Sequence, residues 1–214
     1  MSLAGCTDKA DAKERLAVAV DDLYAAPFEV TIRSVIDGQV GGTYVVRYSP
    51  PSSAHLVPVD MPFMAEIIVI GNDAWRREPG GAWVASEATE ESVTATALGP
   101  MIAASSGELE AEDGIPVDGE ATWLLRGNSL DFASNMSAAL RETDLPPGVD
   151  IEQVIAQYSG ARANIEVTLG RESRHILTAA LSVTGGTVPA NLEWSFQYPD
   201  TVVIEAPSSG PVRR

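Results

Sequence analysis

The chain is 214 residues long, 45% hydrophobic and 21% charged, with a formal net charge of −16. Length and composition are those of one folded domain with ample core. The negative field excludes nucleic acid and an anionic bilayer surface as partners of the folded body, because no basic stripe with aromatic platforms offsets it. No window approaches the roughly 18 uninterrupted apolar residues of a membrane span.

The N-terminus reads "MSLAGCTDKADAKERL", and Cys6 is the only cysteine. A lone thiol makes no internal disulfide, and no nearby His or second Cys shares a metal with it. "LAGC" matches the bacterial lipobox, in which the cysteine is lipidated and becomes the mature N-terminus. A full lipoprotein signal places a basic segment and an apolar stretch of roughly 7–15 residues before that box. Only "MSL" precedes "AGC". The residues alone leave two readings: a signal already removed, or a stray exposed cysteine whose surroundings match by chance.

"DKADAKERLAVAVDDLYAA" has the helical period, with Leu16, Val20 and Leu23 in one stripe that Ala17 and Tyr24 widen. Pro27 ends it. "FEVTIRSVIDG" alternates as a half-buried strand, "DGQVGG" reads as a turn, and "TYVVRYS" resumes the alternation. The prolines of "PPSSAHLVPVDMP" predict a loop or a short edge strand. "AEIIVIGNDAWRREPGGAWVA" predicts a strand, a turn near Asn72-Asp73, a second short strand and a Pro-Gly-Gly turn before Trp83. "TEESVTATALGPMIAASSG" predicts a helix capped by Thr89, which Gly99-Pro100 should break or kink.

"DGEATWLLRGN" predicts a strand, and the stretch from Ser129 to Gly160 one helix before Pro146 and a second in "DIEQVIAQ". Four strands follow: "RANIEVTLG", "RHILTAALSVTG", "NLEWSFQYP" and "TVVIEAP". Strand runs with segregated helices indicate an α+β domain: a large antiparallel sheet whose apolar face is covered by helices.

Catalytic patterns are missing. There is no nucleophile elbow, phosphate-binding glycine loop, paired-histidine metal motif or dinucleotide fingerprint. His55 and His175 stand in unrelated segments, His55 in the proline-rich loop and His175 at a strand start. Glu108, Glu110, Glu112 and Asp113 lack the order of a calcium loop and read as a solvated face. Trp75 and Trp83 read as sheet packing. The chain is expected to be no enzyme and to need no cofactor or metal.

If the alternation holds, Phe28, Val30, Ile32, Tyr44 and Val46 point to one side of the sheet. Ile67, Val69, Leu192, Trp194 and Phe196 join them there. Two readings are open. Either these side chains pack on the helices as a filled core, or some of them line a cavity whose helical wall is Leu98, Met101 and Ile102. Methionine suits an adaptable lining.

After the N-terminal helix and two strands, "IIVIGNDAWRREPGGAWV" is a strand ending in Gly-Asn/Asp, followed by an aromatic, basic residues and a turn to Trp. Together with "DGIPVDGEATWLLRG" and the closing "PDTVVIEAP", it resembles the LolA-like and LppX/LprG-like bacterial lipoproteins over residues 10–207. The resemblance implies an open, curved antiparallel half-barrel with helices on its concave face. Between the two it implies a cavity for acyl chains, lined by the residues named above. It further implies export to the bacterial cell envelope and a lipid anchor on Cys6. Residues 1–9 would then be lipobox remnant and tether, 10–207 a single lipid-binding domain, and 208–214 a disordered tail. A single acyl chain binds a bilayer marginally, whereas a diacylglycerol plus an amide-linked chain holds firmly. The implied partners are a lipid or other hydrophobic small molecule, the membrane through Cys6, and an envelope protein. The alternative is a ligand-free interaction or regulatory module of the same fold.

Overall fold

A computed structural model describes residues 9–36, 39–86, 98–141, 151–186 and 190–208. Cys6, Asp37, Gly38, Thr89 and the last six residues lie outside the described residues. Helix α1 (Lys9–Leu23) forms where Ala12, Leu16, Ala19 and Leu23 recur at spacings of four and three and are buried as one stripe.

Strands β1 (Phe28–Ile36), β2 (Gln39–Ser49), β3 (Ser53–Pro58), β4 (Glu66–Ile70), β5 (Asp73–Arg77) and β6 (Val84–Ser86) follow as successive hairpins. After α2 (Leu98–Ser105) come β7 (Glu108–Asp113) and β8 (Thr122–Ser129). Helices α3 (Phe132–Arg141) and α4 (Ile151–Ala156) precede β9 (Arg162–Gly170), β10 (Ile176–Thr184) and β11 (Ala190–Gln197).

All eleven strands form one sheet in the order β6-β5-β4-β3-β2-β1-β11-β10-β9-β8-β7. The β1–β11 pairing is antiparallel and joins the two halves of the chain. β6 and β7 stand at opposite ends, so the sheet is an open half-barrel with helices on one face, the α+β architecture expected. Val30 lies opposite Val46 and Phe196, and Ile32 opposite Tyr44 and Trp194. Residues directly opposite share a face, so the apolar set is continuous across strands.

Three local expectations are corrected. "TVVIEAP" is no strand: Val203 is 78% exposed, and β11, just before it, is already paired on both sides by β1 and β10. The proline-rich segment is no edge and is not loop throughout, because its Ser53–Pro58 is an internal strand between β2 and β4 with turn or irregular residues on both sides. Its prolines stand before the strand, at its last position and, for Pro62, beyond it, which leaves the N–H groups between Pro51 and Pro58 free for the ladder. Gly99 and Pro100 stand in the first turn of α2, and the residues before Leu98, on the other side of the expected break, lie outside the described residues. Gln39–Gly42, expected as part of a turn, begin β2, with a register shift between Ser34 and Val35.

Candidate ligand-binding site

The inner face of the sheet is built from the alternating strands. All ten strand residues predicted to share a side do so, and all are buried except half-buried Leu192. On α2, Leu98, Met101 and Ile102 are buried in the same continuous apolar cluster as the strand residues. Three strands add inner-face residues that the sequence reading did not single out: Leu56 on β3, Ile165 and Val167 on β9, and Leu181 on β10. The alternation in "RANIEVTLG" marks those of β9, whereas the flanking prolines obscured Leu56.

One end of this face is sealed by aromatic rings. Phe28 stacks on Tyr48 at 5.0 Å, Tyr24 just after α1 meets Tyr48 edge-on at 5.2 Å, and Phe196 lies 6.0 Å from Phe28. His175 stacks on Tyr198 at 3.9 Å. The hydroxyls are placed by backbone partners: Tyr48 donates to Pro51 O at 2.7 Å, Tyr198 to Ile176 O at 2.9 Å, and Tyr24 accepts from Gly99 N–H at 3.0 Å. Along the same end, Trp123 of β8 holds the Arg171 guanidinium 3.7 Å and the Arg15 guanidinium 4.4 Å from its ring centre. This contact ties α1 to the sheet.

The other end differs in chemistry. Met61 and Met64 pack against the core there, and the Thr43 N–H donates to Asp60 Oδ1. A cleft of about 540 Å³ lies among Pro58, Met61, Met64, Arg77 and Pro79, with Phe63 beside it 94% exposed. Tyr44 and Tyr158 also stand at this end. Burial, with the Tyr158 phenol adding to it, pushes the Tyr44 hydroxyl up to about 12.

The helices are held over the sheet by polar ties at their ends. Asp131 caps α3 by accepting from Ser134 N–H at 3.2 Å, and Phe132, Met136 and Leu140 form its buried stripe. Asn135 Nδ2 donates to Ser129 Oγ at 2.8 Å, joining α3 to the end of β8. A groove of about 490 Å³ separates α1, α2 and α3, lined largely by small side chains including Ala17, Ala103, Ala104 and Ala139.

The remaining singled-out residues lie elsewhere. His55 is on β3, on the outer face, where its Nε2 is 2.7 Å from Glu66 Oε1. Glu66 also accepts from Arg77 Nε at 2.8 Å, and Arg77 lies 4.7 Å over Trp83. Trp75 is buried on that same outer face, opposite Ile68 and Ala85. Glu108, Glu110, Glu112 and Asp113 belong to a strand, β7, with their side chains exposed and Leu109 buried between them. Among the described residues no group of three or more His, Cys, Asp or Glu is placed to hold a metal ion. No described helix is long and apolar enough to cross a membrane.

Two solved structures share this fold over nearly the whole chain. The Mycobacterium tuberculosis lipoprotein LppX is 15% identical with a TM-score of 0.55, the match covering 92% of this chain and 100% of LppX. LprF from Mycobacterium bovis is 13% identical with a TM-score of 0.53, covering 94% of this chain and 98% of LprF. No protein-family model matches the sequence. No curated protein matches it either. The expected resemblance therefore holds at the level of the fold, through LppX and LprF.

Proposed function

We propose that this protein is an extracytoplasmic lipoprotein that binds a lipid, a lipoprotein acyl chain or another hydrophobic ligand between its sheet and helices, without catalysis. One observation carries the reading. The inner face is apolar across both halves of the sheet, with Val46, Leu56, Ile67 and Val69 on β2–β4. Among the described residues the helices contact the sheet mainly at β7, β8, β9 and β10, and the same apolar cluster continues beyond those strands to β4. Burial of acyl surface would drive uptake at about 25 cal/mol per Å². The alanine-lined groove is the place where the helices can part.

LppX is itself a lipoprotein, which supports the same assignment, and "LAGC" supplies the residue for an anchor, Cys6. In this reading residues 1–9 carry the lipid and the tether, and 10–207 form the binding domain. Native mass spectrometry of the purified protein, beside lipid analysis of an organic extract, tests the proposal. The expected outcome is a discrete adduct that extraction removes, with the matching lipid recovered. A clean mass that stays unchanged after incubation with lipids would sink the carrier reading and favour the ligand-free interaction module.

A further inference from the structure

Buried polar side chains in this molecule are systematically partnered. Ser105 donates to Met101 O at 2.7 Å, Thr122 to Ile115 O at 2.9 Å, and Ser129 accepts from Asn135 at 2.8 Å. The hydroxyls of Tyr24, Tyr48 and Tyr198 each have a backbone partner. Tyr44 departs from the pattern. It is only 7% exposed, stands on the inner face opposite Ile32 and Pro58, and its hydroxyl has no hydrogen-bond partner among the described residues.

A buried phenol without a partner costs stability that isosteric phenylalanine would not, because desolvation is uncompensated. β-sheet propensity and apolar area would both be met by phenylalanine at this position. The hydroxyl is therefore the feature to explain. It stands at the end of the inner face away from the aromatic seal, beside the Pro58–Met64 segment with its two methionines. A chain threaded between sheet and helices would bring its polar junction to this end.

We infer that the Tyr44 hydroxyl is the polar anchor of the ligand site, donating a hydrogen bond to the carbonyl of an acyl ester where the acyl chain meets its headgroup. This rests on the lipid-binding reading above. A neutral phenol donates, and an ester carbonyl oxygen is a stronger acceptor than an ether oxygen. The ligand class is accordingly an O-acylated lipid, with its hydrocarbon running toward Phe28 and Phe196.

Displacement of bound N-phenyl-1-naphthylamine, a probe with no carbonyl, tests this on the intact protein. The competitors are monoolein and its ether counterpart, 1-O-oleylglycerol, which differ at the carbonyl. The native protein is expected to prefer the ester about tenfold, the worth of one hydrogen bond in a dry site. Tyr44→Phe should erase that preference while melting no lower than the native protein, which also shows that the variant is folded. Equal affinity for ester and ether in the native protein overturns the inference, and so does an ester preference that survives Tyr44→Phe; a bound water would then be the hydroxyl's partner. Failure of the native protein to take up naphthylamine or either lipid would instead remove the lipid-binding reading, and this inference with it.

Discussion

The buried phenols give this protein an alkaline liability. Burial raises the pKa of Tyr24, Tyr44, Tyr48 and Tyr198, that of Tyr44 to about 12. In the unfolded chain each ionises near 10. The native state therefore holds these protons longer. Stability from this source is complete below about pH 10 and is lost as pH rises toward the native values. Thermal unfolding from pH 9 to 12 should show a melting temperature that starts to fall near pH 10, with tyrosinate absorbance rising together with unfolding. Ionisation of all the tyrosines near pH 10 in a still-folded protein would contradict the burial argued for them. Backbone strain supplies a second residue-scale prediction. Gly42 has φ +123°, and a Cβ there would lie 2.1 Å from Met61 Cγ, whereas Gly80, at φ +71°, has nothing within 4 Å. Gly42→Ala should cost about 2 kcal/mol or more in denaturant unfolding, from left-handed strain plus overpacking, and Gly80→Ala about 1 kcal/mol from strain alone. Equal costs would mean that Met61 moves aside freely.

At the scale of elements, the two ends of the open sheet need protection from pairing with other chains. β7 is an end strand and places Glu108, Glu110 and Glu112 on its solvent face, where like charges would oppose pairing with another copy. Replacing Glu108 and Glu110 with Val should leave the circular dichroism spectrum intact and raise light scattering of concentrated protein. A variant that stays as monodisperse as the parent would show that the charges there are dispensable. Helix α3 depends on its cap in a comparable way. Asp131→Ala removes the acceptor for Ser134 N–H and should cost about 1 kcal/mol in denaturant unfolding. The failure of "TVVIEAP" to form a strand belongs to this scale too. Its alternation is as good as that of β11, but a strand needs an unpaired edge, and β11 has none to offer.

At the scale of the molecule, an acidic body and an N-terminal cysteine make a single testable combination. The charge of −16 works against adsorption to an anionic bilayer. If Cys6 is the anchor, Cys6→Ser expressed behind a functional export signal should move the protein from the membrane fraction to the soluble envelope fraction. The variant body should remain as stable as the parent. Persistence in the membrane fraction would exclude Cys6 as the attachment point.

Much of this organisation was legible in the order of residues. Period-two alternation follows from strand geometry whatever the neighbours are, so Phe28, Val30 and Ile32, or Leu192, Trp194 and Phe196, could be placed on one face before any strand had a partner. The stripe of α1 was legible for the same local reason. Pairing was not. Only the tertiary structure decided that Ser53–Pro58 is internal, that residues 201–207 remain unpaired, and that "GELEAED" is an edge strand, because those outcomes depend on which edges are left open. Only it separated the aromatic-sealed end of the inner face from the methionine-lined end and left the Tyr44 hydroxyl without a hydrogen-bond partner among the described residues. Whether a polar atom is satisfied depends on atoms distant in sequence, and local patterns hold no record of them.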